Sequence, residues 1–206
     1  MLTTGDDGTR FVDSALSIDM IATFTGDGLT VVQLRWDPPG IWGGPQARTF
    51  ACRASTAMKW INDTLHSGGR SRLFAGQGTS GGASQIAFGL AHYGLGEFLD
   101  LANLGGGPPI CPLCASGGQA PEPLLPSARF PNASNRDALA SYPATLVHFF
   151  IGDQEPTPDI VSDATTYFGL ITSPKLMTTV PGTGHTIEST QAGIDAYTAS
   201  VQSALK

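Results

Sequence analysis

An α/β domain with a mainly parallel sheet flanked by helices is the fold class that the sequence predicts. Apolar residues recur at helical spacing over 50–65, where Phe50, Ile61 and Leu65 fall on one face. A strongly apolar run over 145–151 has instead the length and composition of a buried strand. Because helical and strand-like segments alternate along the chain, the strands are expected to pair in parallel, with the helices as crossovers.

The predicted elements are short, and turn residues separate them. Before residue 105, helices are predicted at 10–24, 50–65 and 80–93, and strands at 29–34, 71–75 and 98–104. After a stretch rich in Pro and Gly come a strand at 145–151, a helix at 159–171, a strand at 175–180 and a helix at 189–205. We predict one domain over 1–206, in which 111–142 form a small cap-like or irregular insertion.

Charge is scarce in the chain. Charged residues make up 14% of the 206 residues, and the net charge is −6, against a usual charged share of about 25%. Without a basic cluster, nucleic acid is not an expected partner. The longest apolar run is far below the roughly 20 residues that cross a bilayer, so no transmembrane segment is predicted. No basic and apolar leader opens the sequence, which predicts no secretory signal and leaves the compartment open.

The three cysteines are Cys52, Cys111 and Cys114. The C-x-x-C spacing of the last two fits half of a zinc site or a redox motif. A zinc site needs a second pair of ligands, and the sequence has no second C-x-x-C and no H-x-x-x-H, so no metal site is predicted. A disulfide from Cys52 to one of the pair, three inert thiols, and a thiol-redox module remain open, the last with little support.

The segment Gly78-Thr79-Ser80-Gly81-Gly82 matches G-x-S-x-G. It directly follows a predicted strand and directly precedes a predicted helix, which is the setting of a nucleophile elbow. Small residues are needed on both sides of the serine because the sharp turn brings neighbouring backbone into contact. The helix N-terminus supplies amide groups, that of Gly81 among them, to stabilise a developing oxyanion. We therefore predict Ser80 as a nucleophile, and the alternative is a glycine-rich turn capped by Ser80.

A nucleophilic serine needs a base, and four histidines are available. His66 and His92 lie near predicted helix ends, and His148 lies inside an apolar strand, where a hydrogen-bonded core histidine is the simpler interpretation. His185 lies in a loop between the last strand and the last helix, within Pro181-Gly182-Thr183-Gly184-His185. That loop opens at the carboxyl edge of the sheet, as the serine turn does. We predict His185 as the general base.

The base in turn needs an orienting acid, which is expected in the loop after the preceding strand. That loop reads Gly152-Asp153-Gln154-Glu155. Both carboxylates are candidates, and the residues alone do not separate Asp153 from Glu155. In either case the chain order is serine, acid, histidine, which differs from the order in the two main serine-protease types.

On these three motifs, the chain resembles an α/β-hydrolase of the esterase or lipase type over nearly its whole length. The resemblance implies that the acid is the fourth residue of a G-x-x-D pattern, which is Glu155 here, where the family usually has Asp. It also implies that a second oxyanion donor comes from an early glycine-rich loop, a place that Gly5 and Asp6 fit. Since only four residues precede Gly5, we expect a fold that is minimal at its N-terminus, either naturally small or N-terminally shortened.

The activity that the resemblance implies is hydrolysis of a small-molecule carboxylic ester through a covalent acyl-enzyme, without a metal or organic cofactor. Gly81, Gly5 and Asp6 would line the oxyanion hole. The alternative is a catalytically impaired relative that binds or has a structural role. An uncovered sheet edge at the shortened front would favour homo-oligomers.

Overall fold

The computed structural model describes residues 2–3, 14–35, 47–66, 72–107 and 141–206. Within these ranges, six strands form one sheet in the order β2-β1-β3-β4-β5-β6, and every pairing among them is parallel. The strands are β1 Leu2–Thr3, β2 Gln33–Leu34, β3 Ala75–Thr79, β4 Leu101–Gly105, β5 Leu146–Gly152 and β6 Lys175–Val180. The predicted mainly parallel α/β fold is thus confirmed.

Five α-helices are described, of which the first four lie between strands and the last follows β6. They are α1 Ala15–Gly26, α2 Ala47–Thr64, α3 Gly81–His92, α4 Pro158–Leu170 and α5 Gln191–Ala204. Two short 3₁₀ turns, Leu95–Glu97 and Ile187–Ser189, follow α3 and β6. Ser14 and Thr190 cap α1 and α5, because each side chain accepts a backbone N–H of the first helical turn. None of the helices in the described ranges is long and apolar enough to cross a membrane.

The sheet separates two apolar layers. One face packs against α2, α3 and α4, with Met58, Ile86 and Tyr167 among the buried side chains. The other packs against α1 and α5, where Met20 and Tyr197 are buried. A sheet covered on both faces reads as continuous apolar runs rather than an alternation. This explains why 145–151 could be recognised as a buried strand from sequence.

Several predicted boundaries were wrong. The strand predicted at 71–75 is displaced, since β3 spans Ala75–Thr79 and runs directly into Ser80. Glycine has low strand propensity, which hid the Gly76-Gln77-Gly78 segment. In the structure, a Cβ at Gly76 would already be in van der Waals contact with Ile86 and Leu99 at 3.5 Å, so α3 lies close against this strand.

The strand predicted at 98–104 begins only at Leu101, after the first 3₁₀ turn, and the one predicted at 29–34 is reduced to Gln33–Leu34. The edges of the described sheet are β2 and β6. Self-association through an edge stays a prediction. Of the predicted insertion at 111–142, only residues 141 and 142 are described. Cys111 and Cys114 lie outside the described residues. Cys52 is a free, exposed thiol on α2.

A row of buried polar side chains crosses the sheet beneath α5. Gln77, Asn103 and His148 lie side by side on β3, β4 and β5. The hydroxyl of Ser200 donates to Asn103 Oδ1 at 2.9 Å and lies 2.9 Å from His148 Nδ1. Since that hydroxyl has one hydrogen, Nδ1 of His148 must donate to it. His148 Nε2 then accepts from Thr178 Oγ1 at 2.8 Å. The prediction of a hydrogen-bonded core histidine is confirmed.

This arrangement makes the fold sensitive to acid. Burial lowers the pKa of His148 to about 4, whereas an unfolded histidine has a pKa of about 6.5. Between about pH 6.5 and pH 4, His148 is protonated in the unfolded chain and neutral in the folded chain. The free energy of unfolding therefore falls as the pH falls. We expect a loss of about 2 kcal/mol between pH 7 and pH 4.5 from this group. Urea unfolding at both pH values measures it, and the wild-type loss should exceed that of His148→Gln; equal losses would contradict the assignment.

Candidate active site

The turn between β3 and α3 holds Ser80 in a strained backbone conformation. Its φ is 55° and its ψ is −120°, and among the described non-glycine residues it alone has a positive φ. Such a conformation costs of order 1–3 kcal/mol and persists only where the surroundings enforce it. Here the Ser80 amide donates to Gly105 O at 2.8 Å, and Ser84 N donates to Ser80 O at 3.0 Å. The turn thus has the sharp strand-to-helix geometry that the G-x-S-x-G motif predicts.

His185 follows β6 and faces the serine. Its Nε2 lies 2.8 Å from Ser80 Oγ, and its Nδ1 lies 2.8 Å from Glu155 Oε2. The Glu155 side chain is only 1% exposed, while that of His185 is 30% exposed. A carboxylate can only accept, so Nδ1 carries the proton and Nε2 is left to accept the serine hydroxyl hydrogen. The structure therefore brings three of the predicted residues into one hydrogen-bonded line.

Asp153 occupies a different place in the same loop. Its Oδ1 accepts the Thr183 amide at 3.3 Å, and its own amide donates to Val180 O at 3.0 Å. These contacts join the loop after β5 to the loop that carries His185. Of the two carboxylates that the sequence left open, Glu155 is the one in contact with the imidazole, and Asp153 supports the loop.

Of the three residues predicted to line an oxyanion hole, only Gly81 lies within the described residues. Gly81 is the first residue of α3, and the first amides of a helix have no acceptor within it. The amide of Gly81 directly follows Ser80, the position at which the sequence predicts an oxyanion donor. Thr3, the last residue of β1, is paired with Gly78, two residues before Ser80. Gly5 and Asp6 follow Thr3 after one further residue and lie outside the described residues.

Glycines after β4 let the histidine loop come close. Gly106 has a φ of 67°, and a Cβ there would lie 2.6 Å from the carbonyl oxygen of His185. Gly152 is equally crowded, since its Cβ would lie 2.0 Å from Thr183 O. Both positions require glycine because backbone, not a flexible side chain, occupies the space. The sequence contains three consecutive glycines at 105–107. Without the structure, this run indicates only the start of an irregular segment.

We predict that Gly106→Ala displaces the His185 loop and lowers any Ser80-dependent turnover about 10- to 100-fold, since small displacements of reacting groups are costly. Gly28→Ala is the matched control: its φ is 85°, yet nothing lies within 4 Å of its Cβ. Both variants carry backbone strain of about 1 kcal/mol, but only the first touches the site. Rates and melting temperatures of the two variants check this, and equal activity in both would refute it.

Three further residues meet under the elbow. Thr79 occupies an unspecified position of the serine motif, and no motif indicated Glu188 or Tyr197. Thr79 Oγ1 lies 2.5 Å from Glu188 Oε2 and 2.8 Å from the Tyr197 hydroxyl. Burial, with the charge of Glu188 as a smaller cause, raises the pKa of Tyr197 well above its usual value. The partners are more than 100 residues apart in sequence, so only the folded chain brings them together.

The two histidines near predicted helix ends, which the sequence does not favour as the base, lie apart from this centre. The ring of His66 packs against Phe74 at 5.1 Å, and that of His92 against Phe88 at 5.6 Å. In the described ranges no group of three or more His, Cys, Asp or Glu residues could hold a metal ion.

No protein-family model and no curated protein sequence matches the chain. Solved structures do match it. Dienelactone hydrolase from Anabaena variabilis is similar with a TM-score of 0.58 and 13% identity, over 100% of this chain and 85% of that one. A Bacillus cereus carboxylesterase is similar with a TM-score of 0.58 and 14% identity, over 98% of this chain and 86% of that one. The chain has an α/β-hydrolase-like fold.

A third similar structure is longer than this chain. It is an uncharacterised protein from Bacillus cereus, with a TM-score of 0.60 and 10% identity. The match covers 100% of this chain and 59% of that protein. At such identities the α/β-hydrolase likeness concerns the fold, and the roles of individual residues rest on the geometry of the site.

Proposed function

We infer that the protein is a serine hydrolase that cleaves carboxylic esters. The observation that carries this proposal is the line Ser80–His185–Glu155, in which two 2.8 Å hydrogen bonds join nucleophile, base and acid. The strained backbone of Ser80 supports it, since a serine at an elbow exposes its hydroxyl at the edge of the sheet. The solved structures of a carboxylesterase and a dienelactone hydrolase with a similar fold add support.

In the first half of the reaction, Ser80 Oγ attacks the ester carbonyl while His185 Nε2 takes its proton. Glu155 keeps the proton of His185 on Nδ1 and stabilises the imidazolium that forms. The carbonyl oxygen becomes an oxyanion, which the amide of Gly81 stabilises. His185 then returns its proton to the alcohol oxygen, the C–O bond breaks, and the acyl group stays on Ser80.

In the second half, a water molecule attacks the acyl-enzyme while His185 accepts one of its protons. The proton returns to Ser80 Oγ as the bond to the acyl carbon breaks, and the carboxylic acid leaves. From the sequence, a second amide near Gly5 and Asp6 completes the oxyanion hole in this proposal. Each step uses side chains and amides of the chain together with substrate and water.

The test is hydrolysis of p-nitrophenyl acetate and butyrate by the wild type and by Ser80→Ala. We expect Ser80-dependent release of p-nitrophenol, since the alanine variant has no nucleophile. The matched amide, p-nitroacetanilide, probes the preference for esters, and we expect slower turnover because its amine leaves less readily. Equal rates for the wild type and Ser80→Ala, or no turnover by either, would refute the ester hydrolase and favour a binding protein with the same fold.

A further inference from the structure

A second hydrogen-bonded tie connects the serine turn to the histidine loop, on the face of the sheet that α5 covers. Thr79 immediately precedes Ser80, and Glu188 lies three residues after His185, in the second 3₁₀ turn. The 2.5 Å contact between Thr79 Oγ1 and Glu188 Oε2 spans 109 residues of sequence. One contact therefore joins the residue before Ser80 to a residue three positions after His185, close in sequence to the two groups that must meet for catalysis.

The hydrogens in this cluster have one consistent arrangement. A carboxylate accepts and cannot donate, so the single hydroxyl hydrogen of Thr79 points to Glu188. The contact of 2.8 Å between Thr79 Oγ1 and the Tyr197 hydroxyl then requires Tyr197 to donate. The raised pKa of Tyr197 keeps that donor protonated at any ordinary pH. The chain of donors thus ends on the negative charge of Glu188, and hydrogen bonds to a charged acceptor are the stronger kind.

Close packing fixes where this cluster sits. A Cβ at Gly105 would lie 1.7 Å from the Tyr197 hydroxyl oxygen, and one at Gly193 would lie 1.8 Å from Ile187 O. Both glycines thus let α5 and the second 3₁₀ turn approach directly beneath the serine turn. Gly105 O also accepts the Ser80 amide. Tyr197, Glu188 and Thr79 are therefore held against the same backbone that holds the strained serine.

We propose that Glu188 is a positioning residue that, through Thr79, holds Ser80 and His185 at reacting distance. The proposal rests on the ester hydrolase function inferred above. Without the tie, the histidine loop would keep its contacts to Asp153 and Glu155, but of its hydrogen bonds to the serine turn only the reacting one, between His185 and Ser80, would remain. Catalysis depends steeply on that distance, because a displacement of about 1 Å can cost on the order of 100-fold in rate. Ground-state binding depends on it much less.

The experiment compares Thr79→Val, Thr79→Ser and Glu188→Ala with the wild type. Thr79→Val keeps the shape and removes the hydroxyl, Thr79→Ser keeps the hydroxyl, and Glu188→Ala removes the acceptor. The control is Thr145→Val. Thr145 is fully buried, and its hydroxyl donates to Leu99 O at 2.7 Å. It lies just before β5, at the amino ends of the strands, whereas Ser80 and His185 lie at their carboxyl ends. Rates with p-nitrophenyl butyrate are divided by the number of sites that a fluorophosphonate titrates, so that unfolded protein does not count.

We expect Thr79→Val and Glu188→Ala to lower kcat about 10- to 100-fold, with KM changed less than about threefold. Thr79→Ser should restore kcat to within about threefold of the wild type. Thr145→Val should lower the melting temperature and leave kcat unchanged. A kcat within about twofold of the wild type in both Thr79→Val and Glu188→Ala, or an equal loss in Thr145→Val, would overturn the proposal. If Thr79→Val does not fold, Glu188→Leu takes its place, because leucine removes the acceptor and keeps the bulk of the side chain, with the same two outcomes.

A substrate-free readout separates this proposal from the function it rests on. The Nδ1–H proton of His185, hydrogen-bonded to Glu155, is expected as a downfield NMR resonance in the wild type. It should shift or broaden in Glu188→Ala and remain in Thr145→Val. An unchanged resonance in Glu188→Ala would overturn the positioning role even if the wild type hydrolyses no ester. If the wild type hydrolyses esters and Glu188→Ala is fully active, the positioning role is overturned and the proposed ester hydrolase function stands.

Discussion

Replacing Glu155 with glutamine is expected to lower kcat for ester hydrolysis by about 10³- to 10⁴-fold. The glutamine amide can donate to His185 Nδ1, which the carboxylate cannot do. Donation there favours the tautomer with the proton on Nε2, and that nitrogen can no longer accept the hydroxyl hydrogen of Ser80. Because only the protonation pattern changes, KM should stay close to the wild-type value. Steady-state rates with p-nitrophenyl butyrate, together with melting temperatures, measure both effects.

Asp153→Asn is the matched control for this prediction. It makes the same chemical change two residues away, where the carboxylate accepts an amide of Thr183 rather than an imidazole hydrogen. Asparagine keeps an oxygen that can accept the same hydrogen bond, so we expect kcat within about tenfold of the wild type. A larger loss in Asp153→Asn than in Glu155→Gln would assign the acid to Asp153 and contradict the geometry of the site.

The second prediction concerns Ser80 and His185 as a unit. We expect Ser80→Ala and His185→Ala each to lower kcat/KM by about 10⁴- to 10⁶-fold, and the double variant to lose no more than either alone. The reason is that the base acts only by taking the serine proton, so removing a second member of the pair removes nothing further. The measurement is a double-mutant cycle of kcat/KM, with each variant checked for native melting behaviour.

Additive losses in that cycle would contradict the proposed mechanism, because two residues that act through one proton transfer cannot contribute independently. A His185→Ala variant with wild-type activity would point to another base. Neither His66 nor His92 lies at the serine, and His148 is committed to Thr178 and Ser200 in the core.

Local patterns were sufficient to predict the order of helices and strands from α1 onward and the serine turn, whereas β1 Leu2–Thr3 was not predicted. The strand predicted at 175–180 matches Lys175–Val180, and the helix predicted at 80–93 matches Gly81–His92 within one residue at each end. Both are segments in which propensity, apolar pattern and flanking turns agree. The position of β3 was predicted wrongly because its alternating glycines have low intrinsic strand propensity. Close packing against α3 favours glycine at these positions, and a single sequence does not show that packing.

The acid and the supporting residues needed the folded chain. Asp153 and Glu155 are two positions apart in one turn, closed by the Glu155 amide on Gly152 O at 3.2 Å. Which side chain reaches the imidazole depends on how that turn meets the loop after β6. The contact between Thr79 and Glu188 likewise depends on two glycines, Gly105 and Gly193, that could have been read only as turn residues. Contacts between distant segments carry no local signal in a single sequence.

The most direct test of the central claim is the reaction of the protein with a fluorophosphonate, followed by intact mass and peptide mapping. The probe forms a stable bond to an activated serine, so its rate reports the serine–histidine pair without any assumption about the natural ester. We predict one adduct per chain, located at Ser80, absent in Ser80→Ala and strongly slowed in His185→Ala. An adduct at another residue, or labelling at the same rate in the wild type and His185→Ala, would contradict Ser80 as a nucleophile activated by His185.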